Sequence, residues 1–234
     1  MSRQHAIGYR YIITKSIVMI STRNLAELPS PADLRLRMQE MAALTAVFDI
    51  EYGEPNFAYY PMWTKHQQVG AVKNGSGDEL FVHFTSAGCF IKGFGHETAM
   101  TPHRTHPPAL WPKLLDNVPI DFQSSLNEPA FDMPNTTFVV WRLSGEAQWE
   151  TGDIDYPEGK DPDGSTELLS RLLLGVDGFA EWLACNYNVE VDTLIVAHVF
   201  GHKPVSVAQL QQLNEDAPVH RLRSAVEQTA YPLA

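Results

Sequence analysis

Hydrophobic positions change their period along the chain, and the changes divide it into elements. In "LPSPADLRLRMQEMAALTAVFDI", Leu34, Met38, Met41, Thr45 and Phe48 recur three or four residues apart, the spacing of one helical face. Ser30 is a good N-cap, Pro31 suits the first helical position, and Asp33 favours the positive end of the helix. An amphipathic helix of about five turns is therefore predicted. The period then shortens to two in "VGAVKNGSGDELFVHFTSAGCFIKGF". Residues 69–73 and 80–85 read as strands joined by the turn-forming "NGSGDE", and a second turn at 86–88 leads into "CFIKGF". "TTFVVWRL" (136–143) reads as a fourth strand and "AQWETG" as a fifth, so the antiparallel sheet has four to five strands. Between strands three and four, Pro112, Pro119 and Pro129 break the chain into short helical turns. From about residue 165 helical spacing returns, broken at Gly175, Asn188 and Pro204, with a further helix over 218–230. Strands grouped ahead of helices predict an α+β fold: an N-terminal helix, a central antiparallel sheet and a mostly helical C-terminal third.

Residues 1–24 stand apart as an N-terminal extension, read either as an edge strand or as a poorly ordered segment. Residues 25–234 read as one domain, with no long linker and no repeat. Hydrophobic residues make up 44% of the chain and charged residues 19%, a globular rather than a disordered balance. With 17 basic and 28 acidic residues the net charge is −11, which repels phosphate backbones and argues against nucleic-acid binding. The longest apolar run near the N-terminus, "SIVMIS", is far shorter than the roughly 20 residues of a membrane span. Cys89 and Cys185 are far apart and lie in apolar runs, as two buried free thiols would. The expectation is a cytoplasmic protein with no membrane association.

Four stretches carry candidate chemistry. His96, Glu97, His103 and His106 fall within "IKGFGHETAMTPHRTHPPALWP". Three imidazoles could ligate a metal and leave one position for water, which makes His96, His103 and His106 metal candidates. "HETAM" lacks the second His that a zinc-protease helix needs, and Pro102, Pro107 and Pro108 forbid a regular helix through the others. His96 and Glu97 are therefore the preferred catalytic candidates, as general base or acid. "NFAYYPMWTKHQ" crowds Tyr59, Tyr60 and Trp63 around Pro61, a composition found at core margins and at binding surfaces. "ETGDIDYPEGKDPDG" holds Asp153, Asp155, Asp161 and Asp163 with one lysine, a surface suited to a basic partner. An EF-hand starting at Asp161 would need Glu at position 172, where Leu stands, so a calcium loop is not implied. His198 and His202, four apart, suit the C-terminal end of a helix. "GFGHET" and "GSG" miss the dinucleotide and esterase patterns by residue and by context.

The segments "AVKNGSGDELFVHF", "IKGFGHETAM", "WPKLLDNVP", "EPAF", "TTFVVWRL" and "DPDGSTELL" resemble a family of uncharacterised bacterial proteins, from about Leu34 to the C-terminus. The resemblance implies a bacterial cytosolic protein built as one unit, and it brings no activity, cofactor or catalytic residue. The function expected from these features is a non-enzymatic binding or accessory protein, for example an immunity-type module that masks a basic partner. The alternatives are a small hydrolase, metal-dependent or based on His96 and Glu97, and a small-ligand binder. No cofactor is expected.

Overall fold

A computed structural model describes residues 20–50 and 55–234. The expected extension 1–24 lies mostly outside these residues. Its last part, from Ile20 to Thr22, is buried, and Ser21 and Asn24 close a tight turn.

The first helix, α1 (Pro31–Phe48), starts where the capping residues place it: Ser30 Oγ accepts the backbone N–H of Asp33 at 3.2 Å. Leu34, Met38, Met41, Thr45 and Phe48 are all buried, but so are Gln39, Glu40, Ala42, Ala43, Leu44 and Val47. The second half of α1 is therefore sunk in the core on most sides rather than lying on it by one face.

Five strands follow: β1 (Phe57–Thr64), β2 (Gln67–Lys73), β3 (Glu79–Thr85), β4 (Gly88–Phe94) and β5 (Phe138–Leu143). They form one antiparallel meander in sequence order. The meander of 69–94 and the strand near 136–143 stand as the periodicity predicts. The fifth strand does not. "AQWETG" contributes only a single bridge, Glu150 to Trp141, and the additional strand is the aromatic stretch 57–64. Pro61 hides that strand in the sequence, because proline is excluded from central strands. β1 is an edge strand, its register slips between Tyr60 and Thr64, and Pro61 sits within that irregular segment.

The two faces of the sheet are covered differently. On one face Phe57, Val72, Leu80 and Phe138 form a row with Gly93, and Val82, Ile91 and Val140 form the next row with Gly70. This face packs under α1 and the C-terminal helices α3 (Ser165–Arg171), α4 (Val176–Tyr187), α5 (Thr193–Val199), α6 (Val207–Leu213) and α7 (Val219–Gln228). A short helix, α2 (Gln123–Leu126), belongs to the excursion of residues 95–137 between β4 and β5. That excursion covers the opposite face, seating Phe122, Phe131 and Met133 on Val69, Phe90, Val139 and Trp141. The architecture is α+β, and the sheet is the middle of three layers.

Two polar residues on the excursion-facing side are almost sealed. Lys92 donates to Glu79 Oε1 at 3.0 Å between the rings of Phe81 and Phe94, and burial lowers its pKa against the pull of Glu79. His83 meets Ser125 Oγ through Nδ1 at 2.9 Å, and burial drops its pKa to about 4. Cys89 is buried as expected, whereas Cys185 is exposed on α4.

Candidate functional site

The β2–β3 hairpin loop is built around one side chain. Asn74 Oδ1 accepts the backbone N–H groups of Ser76 (2.8 Å) and Asp78 (3.1 Å), and its Nδ2 donates to Asp78 Oδ2 at 2.6 Å. Gly75 and Gly77 supply the positive φ angles, 75° and 109°, that the turn requires. Asp78 Oδ1 is thereby fixed against His96, accepting its backbone N–H at 2.8 Å and its ring Nδ1 at 2.7 Å. An ionised carboxylate only accepts, so Nδ1 carries the proton and donates it. Nε2 is left as the outward nitrogen, 3.7 Å from Glu97 Oε1. The hydrogen bond to Asp78 holds His96 above the ordinary imidazole range. Burial pushes the Asp78 carboxyl up, but the hydrogen bonds from His96 and Asn74 outweigh it and leave the group below the usual carboxylate range.

A close backbone approach brings a second segment to this pair. Gly164 adopts φ +76°, and a Cβ there would lie 2.9 Å from Thr98 Cγ2 and 3.4 Å from Gly95 Cα. Only glycines let the 158–167 segment pass this close to the end of β4. The result is an open cleft of about 420 Å³, lined by Asp78, Glu97, Glu158, Asp161 and Glu167 with Lys160. The fold thus joins Glu97 to Asp161, two candidates 64 positions apart in the chain. Asp161 also accepts the N–H groups of Thr166 (3.0 Å) and Glu167 (3.3 Å), and Asp163 accepts that of Ser165 (3.1 Å). The first amides of α3 are therefore occupied, and carboxylates set the field of the cleft.

The remaining candidates do not gather here. Among the described residues no group of three or more His, Cys, Asp and Glu side chains is placed to hold a metal ion. His96 is bound to Asp78, while His103 and His106 are exposed on the proline-rich loop, where His103 meets the edge of Phe94. The spacing that suggested His96, His103 and His106 as ligands thus does not become a common site: His96 is held by Asp78 while His103 packs on Phe94. Asp163 is 1% exposed and spends its carboxylate on Thr22 and Ser165, so it is an internal tie rather than a surface charge. Asp153 and Asp155 are exposed outside the cleft, Asp155 paired with Lys113 at 3.0 Å. Of the aromatics, Tyr59 is buried and donates to Gln68, Trp63 is stacked on Phe131 and donates to Glu128, and Tyr60 is 43% exposed. Tyr59 and Tyr60 line a separate groove of about 520 Å³ between β1, α1 and α7. His198 donates through Nε2 to Pro204 O, beyond the end of α5, and His202 lies 3.6 Å from Glu40.

Asp78 and Glu167 were not legible as site residues. Asp78 looks like an ordinary turn aspartate, and its role depends on a partner 18 residues away. Compared with known proteins, the chain matches no family model, no curated protein and no solved structure.

Proposed function

We propose that this protein is a binding protein that takes positively charged side chains of a basic protein partner into the cleft between the end of β4 and the start of α3. The observation that carries this reading is the concentration of five carboxylates against one ammonium group around a single cavity. Such a cleft attracts lysine or arginine, raises the rate of encounter and discriminates against acidic partners. The net charge of −11 acts in the same direction at longer range and disfavours nucleic acid as the partner. The free thiols of Cys89 and Cys185 are in keeping with a reducing cytoplasm.

Calorimetric titration with an oligolysine peptide tests the reading. Saturable binding is expected at low ionic strength, weakening steeply towards physiological salt. A Glu97→Gln, Glu158→Gln double variant should lose roughly tenfold in affinity at low ionic strength, from the loss of two exposed charges at the cleft. Asp153→Asn with Asp155→Asn, outside the cleft, should lose far less. Equal losses from the two double variants would reduce the effect to net charge and remove the cleft from the account.

A second reading rests on the Asp78–His96 pair. An imidazole whose Nδ1–H is held by a carboxylate at 2.7 Å has the tautomer and orientation of a general base at Nε2. With Glu97 beside that nitrogen, the arrangement could activate a water for hydrolysis. Turnover of a chromogenic ester panel that disappears in His96→Gln would favour this alternative.

A further inference from the structure

The other ends of β3 and β4, about 20 Å from the acidic cleft by strand length, carry the opposite charge. There the first turn of α1 overhangs the sheet and leaves a groove of about 510 Å³. Arg35 from α1, Arg142 from β5 and His66 from the β1–β2 turn line it, together with Ser30, Ser86 and one carboxylate, Glu146.

Among the described residues Arg23, Arg35, Arg104, Arg142 and Arg221 have no carboxylate partner, and of these Arg35 and Arg142 share this groove. Arg37, Arg171 and Arg223 each have a carboxylate partner, Glu40, Glu167 and Glu227. Among the described residues neither Arg35 nor Arg142 forms an ion pair. Arg142 donates its Nε to Glu146 O at 2.8 Å, and no described acceptor takes its two terminal nitrogens. Arg35 lies beside the Tyr59 hydroxyl, whose pKa burial raises and Arg35 lowers. Both arginines are half-buried and come from different elements. The one carboxylate lining the groove, Glu146, forms no ion pair with either fork.

We infer that this groove is a binding site for a small oxyanion, the phosphate or carboxylate group of a small molecule. A guanidinium presents two parallel N–H donors that match both groups, and two such forks from separate elements define a position as well as a charge. The Ser86 and Ser144 hydroxyls line the same space and the start of the 18-residue helix adds a favourable dipole, whereas the Ser30 hydroxyl is committed to Asp33 Oδ2 at 2.6 Å. The site is independent of the acidic cleft, and neither proposal depends on the other.

The test uses the full chain and two probes, inorganic phosphate and malonate, each compared with sodium chloride at matched ionic strength. Saturable stabilisation above the chloride control is expected in thermal melts. Response to phosphate alone marks a phosphorylated ligand, and response to malonate marks a carboxylate ligand. Arg35→Gln and Arg142→Gln should each weaken binding roughly tenfold, and Glu146→Gln should tighten it. In the unmodified protein, the bound anion should protect Arg35 and Arg142, but not Arg221, from phenylglyoxal labelling mapped by mass spectrometry. That measurement holds even where an arginine variant fails to fold. Stabilisation that only tracks ionic strength, or labelling of Arg35 and Arg142 unchanged by either anion, would overturn the inference.

Discussion

Glu40 is a carboxylate that α1 carries into the core: it is 3% exposed, with Arg37 Nε and His202 Nδ1 both at 3.6 Å. Burial raises its pKa from 4.5 to about 7, against the pull of Arg37. The folded protein therefore holds a proton on Glu40 that the unfolded chain has released, and stability falls as pH rises from about 4.5 through 7. Glu40→Gln removes that slope, so the variant should gain on the wild type between pH 5 and pH 8 by about 1–3 kcal/mol. Urea unfolding midpoints at the two pH values measure this, and parallel midpoints would mean that Glu40 ionises freely in the folded state. The Asp78–His96 pair slopes the other way on its acid arm and the same way as Glu40 on its basic arm. Asp78 is depressed and His96 raised, so their contribution is complete between about 3.8 and 6.5. It fades as pH falls through the Asp78 value or rises through the His96 value. Asp78→Asn should lower the His96 pKa in an NMR titration and leave the other surface histidines unmoved; an unshifted His96 would show that the 2.7 Å contact does not persist in solution.

At the scale of elements, the glycines of the sheet decide what can pack on it. Gly93 stands opposite Phe138, and a Cβ there would come within 2.1 Å of the Phe138 ring. Gly70 leaves the same kind of space for Met38 of α1, whose Cε would be 2.5 Å from an added Cβ. Gly93→Ala should destabilise the protein by about 1–3 kcal/mol, the range for overpacking a filled core. Adding Phe138→Leu should recover part of the loss, a coupling that a double-mutant cycle of chemical denaturation reads directly. Local signals were sufficient for α1 and the hairpins, because a capped start and period-two alternation between glycine turns are properties of contiguous residues. They were insufficient for β1, whose strand character comes from pairing with β2 and from being at an edge where Pro61 is tolerated. They also misplaced "AQWETG", where apolar and polar residues alternate without a strand to extend. The site divides along the same line. His96, Glu97 and the acidic loop are visible as residue types, but their meeting depends on Gly95 passing Gly164, a contact between segments 69 positions apart.

The sheet is shared by two cores of unequal size, a third small cluster is formed by Met100, Leu114 and Ile154, and the charge is unevenly spread along the strands. Carboxylates crowd one end of β3 and β4, and two arginines without a carboxylate partner among the described residues stand at the other. A sheet used in this way has to behave as one body, since the acidic cleft takes Asp78 from a hairpin, Glu97 from the start of the excursion and Asp161 from the segment before the C-terminal helices. Ties between segments distant in the chain are consistent with that. Trp149 donates to Pro29 O at 2.9 Å just before α1, and Gln39 in α1 donates to Thr229 O and Ala230 O at the end of α7. Thr137, at the start of β5, donates to Asp163 O at 2.6 Å, which fastens the cleft segment to the sheet. If residues 25–234 are a single folding unit, damage to the smaller core has to weaken the larger one by the same amount. Phe131 fills the smaller core against Phe81, His83 and Trp63 and is fully buried. Phe131→Ala should cost about 3–5 kcal/mol. Fluorescence of a background carrying Trp111→Phe, Trp149→Phe and Trp182→Phe, which leaves Trp63 and Trp141 in the smaller core, and far-UV circular dichroism, weighted by the C-terminal helices, should then report one coincident transition, shifted to lower urea as a whole. A fluorescence transition that moves while the helical signal stays in place would instead make the 95–137 excursion a separately melting layer, and the acidic cleft would come apart before the fold does.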